Sequence, residues 1–267
     1  MPKAMLIDTS KCMGCRGCQV ACKAWNDRPA EKTTNWGSYQ NPAQLSASTW
    51  NLVQFYEGPD WWVFRPHRCV HCTEASCINV CPTGSMHREG EFVINNQEWC
   101  IGCGYCVVAC PFGAVHREPI ERTADLNPQY ATAGSAQKCI FCIDRVKSGY
   151  VPACAKTCPP RAIQFGERDD LIAAAHKRVA YLVGSGFPEA RLYGETELGG
   201  LGQMYILVKS PSAMGLPEKP VVATASVLMQ WLSGLVVAGV VAAVPFWLLF
   251  RRRKRLEEEH SRIGGQQ

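Results

Sequence analysis

The run Cys100-Ile-Gly-Cys103-Gly-Tyr-Cys106-Val-Val-Ala-Cys110-Pro111 constrains this chain more than any other stretch. Three cysteines at two-residue intervals, a fourth after three more residues and then a proline make the bacterial ferredoxin pattern for a [4Fe–4S] cluster. The tight spacing closes three thiolates over one face of an iron–sulfur cube, while the fourth points away toward a second cube. Gly102 and Gly104 are expected to let the backbone pass close to the cluster, where a Cβ would collide.

The run repeats. Cys12, Cys15, Cys18 and Cys22 form the first quartet, and Cys69, Cys72, Cys77 and Cys81 the second. The stretch above is the third, and Cys139, Cys142, Cys154 and Cys158 are the fourth, so all 16 cysteines are used. The last three quartets end in Cys-Pro, whereas the first ends in Cys22-Lys23. Repetition of a metal motif reads as duplication of one supersecondary unit. Structural zinc uses paired Cys-x2-Cys knuckles but has no need of a third cysteine and a Cys-Pro close. A disulfide framework suits small secreted chains, and cysteines two residues apart are poorly placed to bridge each other. Iron–sulfur ligation is the reading that uses every cysteine.

In two-cluster ferredoxins the fourth cysteine of each run ligates the other run's cluster. Applied to the neighbouring second and third quartets, this gives cluster 2 to Cys69, Cys72, Cys77 and Cys110, and cluster 3 to Cys100, Cys103, Cys106 and Cys81. The outer quartets then give cluster 1 to Cys12, Cys15, Cys18 and Cys158, and cluster 4 to Cys139, Cys142, Cys154 and Cys22. The expected fold is α+β: duplicated bacterial two-cluster ferredoxin modules, nested, with insertions and four [4Fe–4S] clusters. A four-cluster domain at 1–209 would comprise an outer module (1–30 and 139–166) and an inner module (66–117). Insertions at 31–65 and 118–138 and an extension at 167–209 complete it.

A cube held by four cysteines has no open coordination position, which leaves the movement of single electrons as its chemistry. No nucleophile, open metal or pterin motif offers an alternative, so the chain is read as non-catalytic. Arg16, Lys138, Arg145, Lys156 and Arg161 flank the cysteines and either offset cluster charge or are ordinary solvated cations. His67 and His71 bracket Cys69, either hydrogen-bonding a sulfur or filling surface and core. Strands are expected at 5–7, 52–56, 62–64, 91–95, 162–166 and 204–208. A helix over 168–183 carries Leu171, Ile172, Ala175, Val179 and Leu182 on one face and is stopped by Gly184 and Gly186. The tryptophans at 25, 36, 50, 61, 62 and 99 are expected to pack around the clusters and exclude water.

After a linker at 210–220, residues 221–250 hold 30 positions without a charge, more than the ~20 a bilayer core requires. Trp231 and Trp247 sit toward the two ends, and Arg251-Arg-Arg-Lys-Arg255 follows at once. The positive-inside rule places the 251–267 tail in the cytoplasm and the cluster domain on the periplasmic or outer side of a single-pass inner-membrane protein. The span contains no histidine, so it is not expected to ligate haem. Gly234, Ala238 and Ala242 fall four apart, a small-residue face for another membrane helix or simply for lipid. With six basic and three acidic residues in 251–267, the other 250 residues carry only +2, which excludes a nucleic-acid footprint. Lys3 is not followed by an apolar h-region, so no signal peptide is read at this N-terminus. Cluster insertion in the cytoplasm is therefore expected, with export in the folded state beside a partner that bears a twin-arginine signal.

Four further stretches carry a family resemblance: Cys22-Lys-Ala-Trp-Asn-Asp27, Tyr39-Gln-Asn-Pro-Ala-Gln-Leu-Ser46, Cys100-Ile-Gly-Cys-Gly-Tyr-Cys106 and Gly149-Tyr-Val-Pro-Ala-Cys-Ala-Lys-Thr-Cys158. With the tail anchor, they make nearly the whole chain resemble the iron–sulfur (beta) subunit of membrane-bound respiratory formate dehydrogenase. The resemblance implies a catalytic molybdenum or tungsten bis-pterin (alpha) subunit as electron donor. It also implies a membrane cytochrome b (gamma) subunit that reduces quinone, with electrons passing through clusters 1, 4, 2 and 3 in some spatial order. The chain begins almost at its first quartet, without the N-terminal extension of some relatives. The same wire would serve a hydrogenase or a sulfur-compound, selenate or nitrate reductase, and a freestanding membrane ferredoxin is the third reading.

Overall fold

Each cysteine run places its third cysteine in a helix, and the residue after the fourth decides where that helix stops. The computed structural model describes residues 2–117 and 134–264, so most of the expected 118–138 insertion lies outside the described residues. In the first run, β1 (Lys3–Asp8) leads into α1 (Gly17–Trp25), which carries both Cys18 and Cys22. No proline follows Cys22, and the helix runs on. Strands β2 (Asn51–Glu57) and β3 (Trp62–Arg68) precede the second run, whose helix α2 (Ser76–Asn79) ends before Cys81-Pro82. The hairpin β4 (Met86–Glu89) and β5 (Phe92–Asn95) leads to α3 (Tyr105–Ala109) in the third run. Proline disfavours helical backbone in the residue before it, and Cys110 is extended at φ −77°, ψ 111°.

The short pair β6 (His116–Arg117) and β7 (Ala136–Gln137) flanks the second insertion. In the fourth run, α4 (Ile143–Lys147) follows Cys142, and α5 (Ala153–Lys156) carries Cys154 and stops before Cys158-Pro159. Helix α1 packs on α5, and α2 on α3, so the first run meets the fourth and the second meets the third.

Strands β8 (Ile163–Glu167), β9 (Arg191–Tyr193) and β10 (Gln203–Leu207) join β1 in a sheet of order β8-β1-β10-β9. Strand β1 is parallel to β10 and antiparallel to β8. A sheet covered on both faces needs apolar residues at consecutive positions rather than in alternation, and Ala4-Met-Leu-Ile7 supplies them. Ala4, Leu6, Met204 and Ile206 face α6 (Arg168–Gly184), meeting Leu171, Ala175 and Leu182. Met5, Ile7, Tyr205 and Leu207 face the opposite way, into the larger core that also contains Cys18, Cys69, Cys139 and Cys154. The period of the α6 sequence and the two-residue alternation of side chains along the strands thus set one face of the sheet against a helix and the other against the cysteine runs.

Pro66 lies in β3, which is tolerated because the β2–β3 hairpin stands alone as a two-stranded sheet. Residues 210–220, expected as a linker, are packed: Met214 and Leu216 are buried, and Tyr193 Oη donates to the Pro217 carbonyl at 2.8 Å. The compact unit extends to Ala223, whose N–H donates to Ser76 Oγ at 3.0 Å. The second unit is the helix α7 (Val227–Gly264), which starts six residues after the uncharged stretch begins and continues through the basic cluster with Pro245 inside it. Its segment Met229–Glu257 is long and apolar enough to cross a membrane, with a mean hydropathy of 2.2.

Candidate functional site

The cysteines gather in groups drawn from two runs each. One cavity is lined by Cys69, Cys72 and Cys77 together with Cys110, the four that crossed pairing assigns to cluster 2. A second is lined by Cys100, Cys103 and Cys106 with Cys81. A third is lined by Cys139, Cys142 and Cys154 with Cys22. In the remaining group, Cys12 has Cys158 and Cys15 as its interacting sulfurs, and Cys18 interacts with Cys12. None of the sixteen forms a disulfide. Among the described residues no three His, Cys, Asp or Glu side chains converge as one ion would need. Three of the groups each wall a cavity with four sulfurs from two runs, a donor set that fits an iron–sulfur cube.

The groups also adjoin one another. Cys18 of the first interacts with Cys154, Cys139 with Cys69, and Cys77 with Cys106. These links order the groups as 1, 4, 2 and 3. Cys15 and Cys103, in the two end groups, are exposed, while all four cysteines of the Cys22 group are buried.

Burial dominates the thiol chemistry. It pushes Cys18, Cys77 and Cys142 up to about 12, and Cys106 and Cys139 up to about 11, with neighbouring sulfurs adding to the rise. Thiolates in such surroundings need a cation, and iron is one that thiolate ligands hold. Cys81 is the exception: burial raises it, but the Met86 N–H and the Thr83 hydroxyl outweigh that and leave it below the ordinary thiol value.

Hydrogen bonds reach the sulfurs from the backbone: Met86 N–H to Cys81 at 3.4 Å, Ala114 N–H to Cys110 at 3.5 Å, Ala136 N–H to Cys100 at 3.4 Å and Phe141 N–H to Cys139 at 3.4 Å. Side-chain amides add two more, Asn26 to Cys22 and Gln203 to Cys139, each at 3.8 Å. Gly102 and Gly104 both have left-handed backbone, at φ +69° and +81°. The crowding at Gly102 comes from the protein itself, since a Cβ there would stand 2.8 Å from the Gly134 carbonyl oxygen.

The flanking cations divide. Lys156 and Arg161 are exposed, Arg16 lies over the Phe55 ring, and Arg145 is buried over Trp25 at 4.2 Å. Lys138 is fully buried beside the sulfurs. Arg68, which sequence reasoning passed over, is equally buried and lines the cavity of the Cys22 group. A signal existed: a basic residue immediately precedes the first cysteine in Lys11-Cys12, Arg68-Cys69 and Lys138-Cys139.

His67 and His71 are core residues. His71 Nδ1 accepts the Val93 N–H at 3.1 Å and its ring meets Phe141 edge-on, while His67 Nδ1 lies 3.2 Å from Arg65. Of the tryptophans, Trp50 lines the Cys22 cavity, but Trp25, Trp36, Trp62 and Trp99 are exposed, so close packing around clusters describes only part of the set.

Residues 11–85 and 61–168 each match a 4Fe-4S dicluster domain family. The chain is 39% identical over 249 residues to the iron–sulfur subunit of the nitrate-inducible formate dehydrogenase of Escherichia coli, covering 90% of this chain and 81% of that one. It is 37% identical to the formate dehydrogenase iron–sulfur subunit of Haemophilus influenzae, over 81% of this chain and 69% of that one. It is 36% identical to formate dehydrogenase 2 subunit beta (cytochrome c-553) of Nitratidesulfovibrio vulgaris, over 72% and 88% respectively.

Proposed function

This chain belongs to the family of formate dehydrogenase iron–sulfur subunits, and from that premise we propose that it is a four-cluster electron wire. It is an electron-transfer subunit that binds [4Fe–4S] clusters, and not the catalytic component. The proposed ligands are Cys12, Cys15, Cys18 and Cys158 for cluster 1, and Cys69, Cys72, Cys77 and Cys110 for cluster 2. Cys100, Cys103, Cys106 and Cys81 hold cluster 3, and Cys139, Cys142, Cys154 and Cys22 hold cluster 4. The observation that carries this is the three cavities, each walled by four cysteines taken from two different runs. The packing of α1 on α5 and of α2 on α3 supports an inner module nested in an outer one.

A cube with four cysteine ligands supplies one-electron transfer and no substrate site. Interactions between Cys18 and Cys154, Cys139 and Cys69, and Cys77 and Cys106 support the row 1–4–2–3. Its ends would lie near the exposed Cys15 and Cys103. Electrons then pass from a molybdenum or tungsten bis-pterin (alpha) subunit, through the row, to a membrane cytochrome b (gamma) subunit. The apolar part of α7 anchors the chain in the inner membrane. Its basic end faces the cytoplasm and the cluster domain the periplasm, reached in the folded state beside a partner with a twin-arginine signal.

Anaerobic purification of the complex tests this. Expected are about sixteen irons per chain, a formate-active pterin subunit, a haem-containing membrane subunit, and four reducible clusters in a low-temperature paramagnetic resonance titration. Fewer irons in a fully loaded preparation, or a nickel–iron partner, would sink the assignment. Protease digestion of spheroplasts should remove the cluster domain and spare the basic tail.

A further inference from the structure

Among the described residues, two cations lie in the core without a carboxylate beside them. Arg68 is 1% exposed. Its guanidinium donates to Gln203 Oε1, to Asn51 Oδ1 at 3.2 Å and to Met5 Sδ at 3.1 Å. Lys138 is also 1% exposed and donates to the Val93 carbonyl and, at 3.0 Å, to the Cys139 carbonyl. Every one of these acceptors is neutral. A buried charge with neutral partners is costly unless an opposite charge stands close.

Burial alone does not single them out, since Arg65 is fully buried too. That guanidinium, however, lies over the rings of Tyr56 and Tyr205. Arg68 and Lys138 are distinguished by sulfur. Arg68 lines the cavity of Cys22, Cys139, Cys142 and Cys154, and its charge reaches Cys18 and Cys12 of the first group. It therefore stands where groups 1 and 4 meet. Lys138 acts on Cys77 and Cys110 of the second group. Its two acceptors are Val93, which lines that group's cavity, and Cys139 of group 4. It stands where groups 4 and 2 meet.

We propose that Arg68 and Lys138 are the resident counter-cations of the cluster row and set the potentials of three of its members, Arg68 those of the end cluster 1 and the inner cluster 4 and Lys138 that of the inner cluster 2. The inference rests on the four-cluster reading above. Reduction adds one negative charge to a cluster, so a fixed cation nearby stabilises the reduced form and raises its potential. Burial acts in the opposite sense and penalises the more highly charged form. The inner clusters are the more buried, and without these cations they would be an uphill stretch between the exposed ends. Arginine suits the position because it does not lose its proton in proteins.

The test uses the intact complex carrying Arg68→Gln, Arg68→Lys or Lys138→Met, followed by iron content and by a redox titration read by low-temperature paramagnetic resonance. Loaded R68Q should lower the potentials of clusters 1 and 4 by at least tenfold in the one-electron equilibrium, about 59 mV. R68K should stay near the parent, K138M should lower cluster 2, and cluster 3 should hold still in all three. Loss of iron in R68Q with retention in R68K would equally uphold the need for the charge. Unmoved potentials in loaded R68Q and K138M, or equal iron loss in R68Q and R68K, would overturn the proposal. The parent complex tests the four-cluster reading by itself through its iron content and number of signals.

Discussion

The side-chain amide of Gln203 donates to Cys139 Sγ at 3.8 Å across 64 residues of chain. The same amide nitrogen donates to the Cys69 carbonyl at 2.9 Å, and the amide oxygen accepts from Arg68. Gln203 is fully buried on β10, paired in register with Met5 of β1. One side chain thus joins the central sheet, a cysteine of each of two groups and the buried guanidinium. Gln203→Leu should cost about 1–3 kcal/mol, the penalty for leaving buried polar partners unmet. It should also lower the potential of cluster 4 by removing a donor to sulfur. Gln203→Glu, which sets a negative charge beside the same sulfur, should lower it further. Denaturant unfolding and a redox titration of the complex measure the two effects separately.

The crossing of the fourth cysteines makes an asymmetric prediction. Cys81 belongs to the second run and Cys110 to the third, yet Cys81 shares a cavity with Cys100, and Cys110 shares one with Cys69. Cys110→Ser should therefore alter or abolish the signal of cluster 2 and spare cluster 3, and Cys81→Ser should do the reverse. Paramagnetic resonance of the two variants decides it. A variant that perturbs the cluster of its own run would refute crossed ligation.

The helix α6 offers a control that touches stability without touching the wire. Ala175 is fully buried where α6 meets β1 and β10, on the sheet face opposite the cysteines. Ala175→Leu should overpack this layer and cost about 1–3 kcal/mol, while Leu171→Ala should cost about 2–5 kcal/mol. Both should leave cluster potentials unchanged. The check is a lower thermal midpoint together with an unaltered redox titration.

The apolar helix should be sensitive to charge at its middle. Val240 lies within the uncharged part of Met229–Glu257. Val240→Arg adds roughly 2.5–3.5 kcal/mol to insertion at a helix centre. Fractionation should then find more of the subunit outside the membrane pellet, with its iron content intact. Val240→Leu should behave as the parent does.

Much of the local structure was legible. Residues 5–7, 52–56 and 62–64 do lie in strands, as do all but one residue of each of 91–95, 162–166 and 204–208, and the apolar positions of α6 are those that meet the sheet. These segments carry their signal in the order of neighbouring side chains. The strand β4, the pair β6–β7 and the strand β9 were missed because two to four residues are too few to show a period. Residues 221–226 have the same composition as the helix that follows. They are not helical because Ala223 is bound to Ser76 and Val222 packs into the core, contacts that composition does not record.

In the first three runs, spacing within nine residues is enough to say that three sulfurs lie together, because a short loop leaves them few other arrangements. That part of the chemistry belongs to the sequence, as does the need for a lipid-length apolar helix. Which fourth sulfur faces each cavity depends on the packing of α1 against α5 and of α2 against α3. That a guanidinium and an ammonium sit among the sulfurs depends on how β3 and the segment after β7 pass through the core. An electrostatic field sums over distance in space, and residues that act together on one sulfur, such as Arg68, Gln203 and Cys139, are neighbours only after the chain has folded.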